Sequence, residues 1–508
     1  MKKFVLLICL AALAGAAWVA LKPSQGTQNT LTVFCAAGLK KPVEVIAQAY
    51  QKETGNEVRL QYGGTGTLLS QIKITQQGDL FIAADDGSLA DAKKMGVTRE
   101  EFQLVKQKPV LAVAKGNPKK ITSLSALKQD GIKLALPNPE AASIGRVTKR
   151  LLGAEWDALA AKAAVMKPTV TEIAADLSLG AVDAAILWDA TVPQFNGVEI
   201  VALPELAKHA EFATASVLAY CTQTAEAMRF ARYLAAPEKG GGVFQKHGFN
   251  NVPGDKWVAR PDLIVYSGGV NRPAIEKLLQ DFATREGITM TTVFNGCGIL
   301  CATMKTMGDS SNPKFPDVYY ACDVCFVPPV AEQFPEAVML TEAEIVIAVP
   351  KGNPQNIRTL ADLARPGLRV GLCNAEQSTL GFLTRSMLKS MNLWDSVSKN
   401  SSSQVPTADF LVNQMRTGSL DAAVVYGINI HGDPTHFDAV PLPADKSKAV
   451  QPFAVRHDSP NQQMGHRLLA YLREHHESFE TAGFVWKGNT APVKSADIVL
   501  PEWLKQKQ

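Results

Sequence analysis

Two sets of residues in this sequence have the types and spacing to do chemistry: glycine and hydroxyl turns that open helices, and a group of cysteines. From Tyr62 to Asp85 the chain reads YGGTGTLLSQIKITQQGDLFIAAD. A Gly/Thr turn here opens a stretch of helical period, and a short apolar strand closes it on Ala-Ala-Asp. Such a turn aims backbone N–H groups at the space before the helix, where they can hold an anion. A near copy begins FNGCGILCATMK at Phe294 and ends PDVYYACD at Asp323, with cysteine replacing threonine, leucine and alanine.

Of the eight cysteines, five fall in the half of the chain that carries this copy: Cys297, Cys301, Cys322, Cys325 and Cys373. Cys297 aligns with Thr65, Cys322 with Ala84, Cys325 with Gly87 and Cys373 with Pro137. Cys301 follows Cys297 by one helical turn, on the same face. The five thiols are therefore expected to converge on the mouth of one cleft. They could supply four sulfur ligands to a soft metal ion or cluster. Disulfides in an exported chain, or simple packing of small apolar side chains, account for them as well. His431 and His436 in HGDPTH form a further metal candidate, or a solvated turn, and His475-His476 reads as surface. No C-x-x-C-H motif is present to attach haem.

Catalytic motifs are missing. The sequence has no G-x-S-x-G elbow, no H-E-x-x-H helix and no G-x-x-x-x-G-K-[ST] loop, so the reading is of a non-enzyme.

The elements that must position these residues come in two sets. LTVFCAAGLKKPVEVIAQAYQKETG at Leu31 matches LIVYSGGVNRPAIEKLLQDFATREG at Leu263, and the same offset carries Tyr62 onto Phe294 and Gly66 onto Gly298. VLAVAKGNP matches VIAVPKGNP, and GAVDAAILW matches GSLDAAVVY. The chain is a tandem duplication. Each copy reads as α/β. Short β-branched runs at 31–34, 110–114 and 184–187 alternate with helical stretches at 43–52 and 144–152. Continuous apolar strands joined through helices predict parallel sheets covered on both faces, with ligands beyond the strands' C-terminal ends.

The expected division is a signal peptide or N-terminal anchor at 1–28, unit 1 at 29–250, a linker at 251–262, unit 2 at 263–490 and a loose tail at 491–508. Met1-Lys2-Lys3, the uncharged run 4–21 and the small residues 14–17 point to export, with cleavage favoured over an anchor. At 508 residues, 46% hydrophobic and 20% charged, the chain has the make-up of soluble globular protein. A net charge of +4 without long basic runs argues against nucleic acid as a partner.

The motifs VFCAAGL, GGTGTLLSQI, DLFIAADD, NPEAASIG, GAVDAAILWDAT and a closing GF cover nearly all of 31–250. In this order and spacing they resemble the molybdate-binding type of ABC-transporter solute-binding proteins, within the type 2 periplasmic binding fold. The resemblance implies two doubly wound lobes per unit around a hinge, closing on a tetrahedral oxyanion that an ABC permease then takes up. It places Cys35, Ala37, Gly38, Thr65, Gly66, Thr67, Ala84, Ser143, Ile144 and Trp188 at the first site. Thr65 would offer a hydroxyl there, Ala84 and Ile144 backbone N–H groups. Gly38 stands where the family has a ligand serine, and Trp188 where it usually has a tyrosine. The second unit shares the frame, with Ser267, Gly269, Cys297, Gly298, Cys322, Thr379 and Tyr426 at the matching places. Three functions are weighed: capture of a molybdate- or tungstate-like oxyanion, a metal or redox module in unit 2, and a sensor, scavenger or interaction protein.

Overall fold

The computed structural model describes residues 29–308, 311–443 and 447–498. The signal or anchor segment 1–28, with Cys9, and the end of the tail lie outside them. The chain forms two compact units that divide between Pro253 and Gly254.

In the first unit the strands are β1 (Thr30–Ala36), β2 (Glu57–Gly63), β3 (Leu80–Ala83), β4 (Thr98–Gln107), β5 (Pro109–Ala114), β6 (Leu134–Pro137), β7 (Val165–Lys167), β8 (Ala184–Trp188), β9 (Val198–Val201), β10 (Glu211–Leu218) and β11 (Asn250–Asn251). They build two sheets, one per lobe, in the orders β11-β4-β10-β3-β1-β2 and β7-β6-β8-β5-β9. The chain passes to the second lobe between β4 and β5 and returns before β10, so both lobes share a hinge of two crossings. The expectation of parallel sheets holds only for the three strands at one side of each, β3-β1-β2 and β7-β6-β8. β1 runs parallel to β2 and β3, and β6 parallel to β7 and β8. β10 is antiparallel to β3 and β4, and β5 to β8 and β9. A crossing strand enters the neighbouring lobe from the opposite direction, which periodicity cannot reveal.

Local sequence explains the central elements. β3 (LFIA) and β8 (AAILW) are buried at every position, as strands covered on both faces must be. The helix Lys40–Thr54 buries Val43, Ile46, Ala47 and Tyr50 at helical spacing, and Gly55 at φ +79° ends it in the left-handed conformation.

The second unit repeats this plan with β12 (Asp262–Gly268), β13 (Thr289–Asn295), β14 (Val318–Tyr320), β15 (Glu336–Pro350), β16 (Val370–Cys373), β17 (Ser401–Val405), β18 (Ala422–Tyr426), β19 (Phe437–Pro441), β20 (Lys448–Val455), β21 (Val485–Trp486) and β22 (Val493–Lys494). Here the strand that matches β4 and β5 is continuous. β15 pairs with β20 over Val338–Glu344, then with β18 and β19 from Ile345 onward. Two expectations change. Asn250 and Asn251 pair with β4, and Asp255 accepts the N–H groups of Gln463 and Met464 at 2.7 and 2.9 Å, so the linker region is tied into both units. The tail pairs with β15 through Val493 and Lys494.

Each unit sets the strand end beside its cleft with a buried aspartate. Asp85 accepts the Ser88 N–H at 3.0 Å. Asp323 accepts the N–H groups of Cys325 at 3.1 Å and Val450 at 3.0 Å. Burial pushes the Asp323 carboxyl up to about 6, against these hydrogen bonds. An unfolded aspartate titrates near 4, so between about pH 4 and 6 the folded chain holds the extra proton. Stability is then expected to fall as pH rises through that window, by up to about 3 kcal/mol, and to level off above it. Asp323→Asn should flatten this slope in urea midpoints measured from pH 4 to 7. An unchanged slope would assign the titration elsewhere.

Candidate functional site

In the first unit the two lobes face each other across a small cleft. The first lobe contributes Ala36, Ala37 and Gly38 after β1, Gly63, Gly64 and Thr65 after β2, and Ala84 after β3. The second contributes Ala142–Ile144, Thr169, Val170 and Trp188. The space open to the centre of a water molecule is about 10 Å³, about what a single water-sized group needs. No charged side chain lines it.

Three helices begin at this cleft: Thr65–Thr75, Ser143–Leu152 and Val170–Ser178. Each brings the positive end of its dipole to the cleft. The third was missed in the sequence, although TVTE at Thr169 has the spacing of a capping box. Thr169 does accept the Glu172 N–H at 3.2 Å.

Two buried donors at the cleft have no hydrogen-bond partner among the described residues: the Thr65 hydroxyl and the Trp188 indole N–H. Both side chains are 1% exposed. A donor left unpaired in the interior is costly, which is why such atoms mark a ligand's place. Gly38 on the first loop is crowded by Val170: a Cβ there would lie 3.1 Å from Val170 Cγ1, with Thr191 Oγ1 at 3.7 Å and Trp188 Cδ1 at 4.0 Å, both at ordinary contact distance. In the second unit Val270 stands on the loop and Tyr426 on the strand.

Three predicted residues lie elsewhere. Cys35 is buried under the loop, its thiol on the Ala36 carbonyl at 3.5 Å. Thr67 is exposed, since two residues along a helix turn a side chain about 200° from Thr65. Gly66 serves closure instead. Its N–H donates to the Ala141 carbonyl of the opposite lobe at 2.9 Å, and a Cβ on it would meet the Glu140 carbonyl at 2.1 Å. Arg146 adds an ionic tie between the lobes, 2.6 Å from Asp91 and 3.8 Å from Asp85.

The second cleft has the same architecture and different chemistry. Gly269, Cys322 and Tyr426 line it as expected from position, joined by Ser378, Asn429 and the carboxylate of Asp409. Asp409 was missed, although comparison of the copies sets it against Thr171. The Asn429 amide donates to it at 3.2 Å. Gly298 lies on a separate outer groove. Ser267 is fully buried behind the first loop, and Thr379 is buried beside Cys297 and Cys322.

The five thiols do not form one set. Cys297 and Cys322 stand with their sulfurs 2.8 Å apart, and the Cys322 N–H donates to Cys297 Sγ at 3.0 Å. Cys301 turns instead to the Tyr319 hydroxyl and the Phe326 carbonyl, both at 3.5 Å. Among the described residues no group of three or more His, Cys, Asp or Glu is placed to hold a metal ion. The predicted five-cysteine metal site is therefore not assembled. Its members share a cleft end in sequence alignment, but alternate strand and helix positions send their side chains different ways. His436 pairs with Asp433 at 2.6 Å in an exposed turn. His475 and His476 are half-buried, packed on Tyr471 and Trp486.

Burial pushes the Cys301 and Cys373 thiols up to about 12 and raises the Cys325 thiol well above its ordinary value as well. Burial also raises Cys297, but hydrogen bonds from Cys322 and Tyr319 outweigh it and hold that thiol below its ordinary range.

The profile of the family described as bacterial extracellular solute-binding protein matches residues 31–250 and again 263–485. A putative binding protein of Haemophilus influenzae is 31% identical over 159 residues, 31% of this chain and 65% of that protein, so just under two thirds of it is spanned. The molybdate-binding protein ModA of Escherichia coli is 28% identical over 234 residues, 44% of this chain and 89% of that protein. The solved periplasmic molybdate-binding protein of Azotobacter vinelandii aligns at 21% identity and a TM-score of 0.39, over 44% of this chain and 99% of that one. With both halves matched by one profile, and each half folded as two lobes around a cleft, the chain belongs to the bacterial extracellular solute-binding protein family and carries its domain twice in tandem.

Proposed function

We propose that the first unit captures a tetrahedral oxyanion of the molybdate or tungstate type outside the cytoplasm and presents it to an ABC permease. The observation that carries this reading is the pair of buried, unpartnered donors, Thr65 Oγ1 and Trp188 Nε1, at a small cleft where three helices begin. Donors of this kind hold a divalent anion without a lysine or arginine, because N–H dipoles fixed in place need no reorganisation. The names of relatives in Escherichia coli and Mycobacterium tuberculosis as molybdate-binding proteins support the same class of ligand.

The mechanism is lobe closure. Ligand groups bridge the donors of both lobes, and the Gly66–Ala141 hydrogen bond and the Arg146 ion pairs add to the closed state. A ligand that meets all these donors only when the lobes are shut shifts the hinge equilibrium toward closure. Release to the permease reverses it. The role is binding and not catalysis, and the N-terminal segment either directs export and is removed or tethers the chain to the membrane.

In the second unit the corresponding cradle is engaged by the protein itself. The Cys322 N–H, which matches the Ala84 amide, is donated to Cys297. With Asp409 also at the rim, that cleft is unsuited to a dianion.

Isothermal titration against molybdate, tungstate, sulfate and phosphate should therefore show one site per chain, and no heat from any of the four would overturn the reading. Trp188→Phe keeps the ring and removes the donor, so affinity should fall about 10- to 100-fold, a charged hydrogen bond being worth roughly 1.5–3 kcal/mol. Gly66→Ala should weaken binding at least about tenfold while leaving the ligand-free melting temperature nearly unchanged, since the added Cβ clashes only when the lobes close. An equal loss of stability in the free protein would mean that the glycine serves folding instead.

A further inference from the structure

The sulfurs of the second unit are not an isolated substitution. Cys297 is the first residue of the helix Cys297–Met307, where the first unit has Thr65. Cys322 follows β14, where the first unit has Ala84. Space for the Cys322 sulfur comes from a third change. Gly268 replaces Ala36, and a Cβ at Gly268 would lie 2.2 Å from Cys322 Sγ. Three positions on three segments have thus changed together, and the result is two sulfurs 2.8 Å apart, closer than ordinary contact.

Access and reactivity are divided between the two. Cys322 lines the cleft at 4% exposure, while Cys297 lies behind it at 0%. Cys297 sits at a helix N-terminus and accepts the Cys322 N–H, an arrangement that favours its thiolate. Burial raises the neighbouring thiols of Cys301, Cys325 and Cys373, and the hydrogen bond to Cys297 together with burial raises that of Cys322. Cys322 therefore supplies access and gives up its proton only as it reacts, while Cys297 supplies the thiolate.

We propose that Cys297 and Cys322 are a reversible dithiol–disulfide pair, oxidised through the second cleft by exchange with a disulfide-bearing oxidant. In the first step Cys322 sulfur attacks one sulfur of the oxidant RSSR. The oxidant's S–S bond breaks, a Cys322–SR mixed disulfide forms, and the departing RS⁻ takes up the proton that Cys322 gives up. In the second step Cys297 thiolate attacks the Cys322 sulfur, the Cys297–Cys322 bond forms, and a second RS⁻ leaves and is protonated. Two protein thiols lose two electrons and two protons, and one disulfide becomes two thiols. Excess thiol reverses both steps. Oxidation also withdraws Cys297 as the acceptor for the Cys322 N–H, so the pair couples redox state to the cradle of this unit.

The test uses the full chain, folded, treated in one arm with oxidised glutathione and in the other with a small protein in its disulfide form. Remaining thiols are then blocked with N-ethylmaleimide, and the digest is read by mass spectrometry. Expected is a Cys297–Cys322 linked peptide in at least one arm, the productive arm naming the source, with both thiols returned by dithiothreitol. Cys297→Ser should trap a mixed disulfide on Cys322, and Cys322→Ser should leave Cys297 unmodified. Cys301→Ser and Cys373→Ser should form the link as the unaltered chain does. Free thiols at both positions in both arms would overturn the proposal, as would a link through Cys301, Cys325 or Cys373, or a link that dithiothreitol fails to open in the folded protein. Molybdate titration of the same samples reads the first unit separately, so the two proposals fail independently.

Discussion

Each unit depends on an approach of backbone to backbone across its cleft. Gly66 donates its N–H to the Ala141 carbonyl of the facing lobe, and a Cβ at Gly64 would stand 2.3 Å from the Pro168 carbonyl. Gly296 and Gly298 repeat this against Gln377 and Glu376. With no side chain at these glycines, helices from both lobes begin close to the cleft. The loops that meet the glycines are set by their own asparagines. Asn138 accepts the N–H groups of Glu140 and Ala141, and Asn374 those of Glu376 and Gln377.

On that common frame the two copies have diverged in matched sets. Gly38 and Trp188 line one cleft where Val270 and Tyr426 line the other. Ala36 and Ala84 stand against Gly268 and Cys322. The Arg146 ion pairs of the first unit give way to an aromatic contact of Phe382 with Phe326, ring centres 6.4 Å apart. Coordinated exchanges preserve packing density while changing what the cleft presents, as close-packed interiors require. The first cleft keeps neutral donors and the second gains sulfur and a carboxylate.

The duplication, the α/β class and the strands and helices around both clefts were legible in the sequence, because apolar runs and the copy-to-copy match report local structure directly. So were Thr65, Ala84, Ile144 and Trp188 as residues at one strand end. Strand direction was not legible in β5 and β10, since antiparallel and parallel buried strands share one apolar pattern. Thr67 and Cys35 fell away because helix rotation and pleat decide which neighbour faces inward. Asp409 and Thr169 stayed hidden because their helices begin at the cleft from a lobe whose approach depends on hinge geometry.

By itself the sequence determined that this is a twofold solute-binding chain, with glycine turns at the same strand ends in each copy and cysteines gathered in the second. Only the tertiary structure decided how those residues combine. It left the Thr65 and Trp188 donors unpaired at one cleft, turned Gly66 into a contact between lobes, and separated five aligned cysteines into one close pair and three thiols apart from it. The physical reason is directional. Spacing places a residue at the end of a strand, but the pleat, the helix rotation and the room left by a neighbour such as Gly268 determine where its side-chain atoms point.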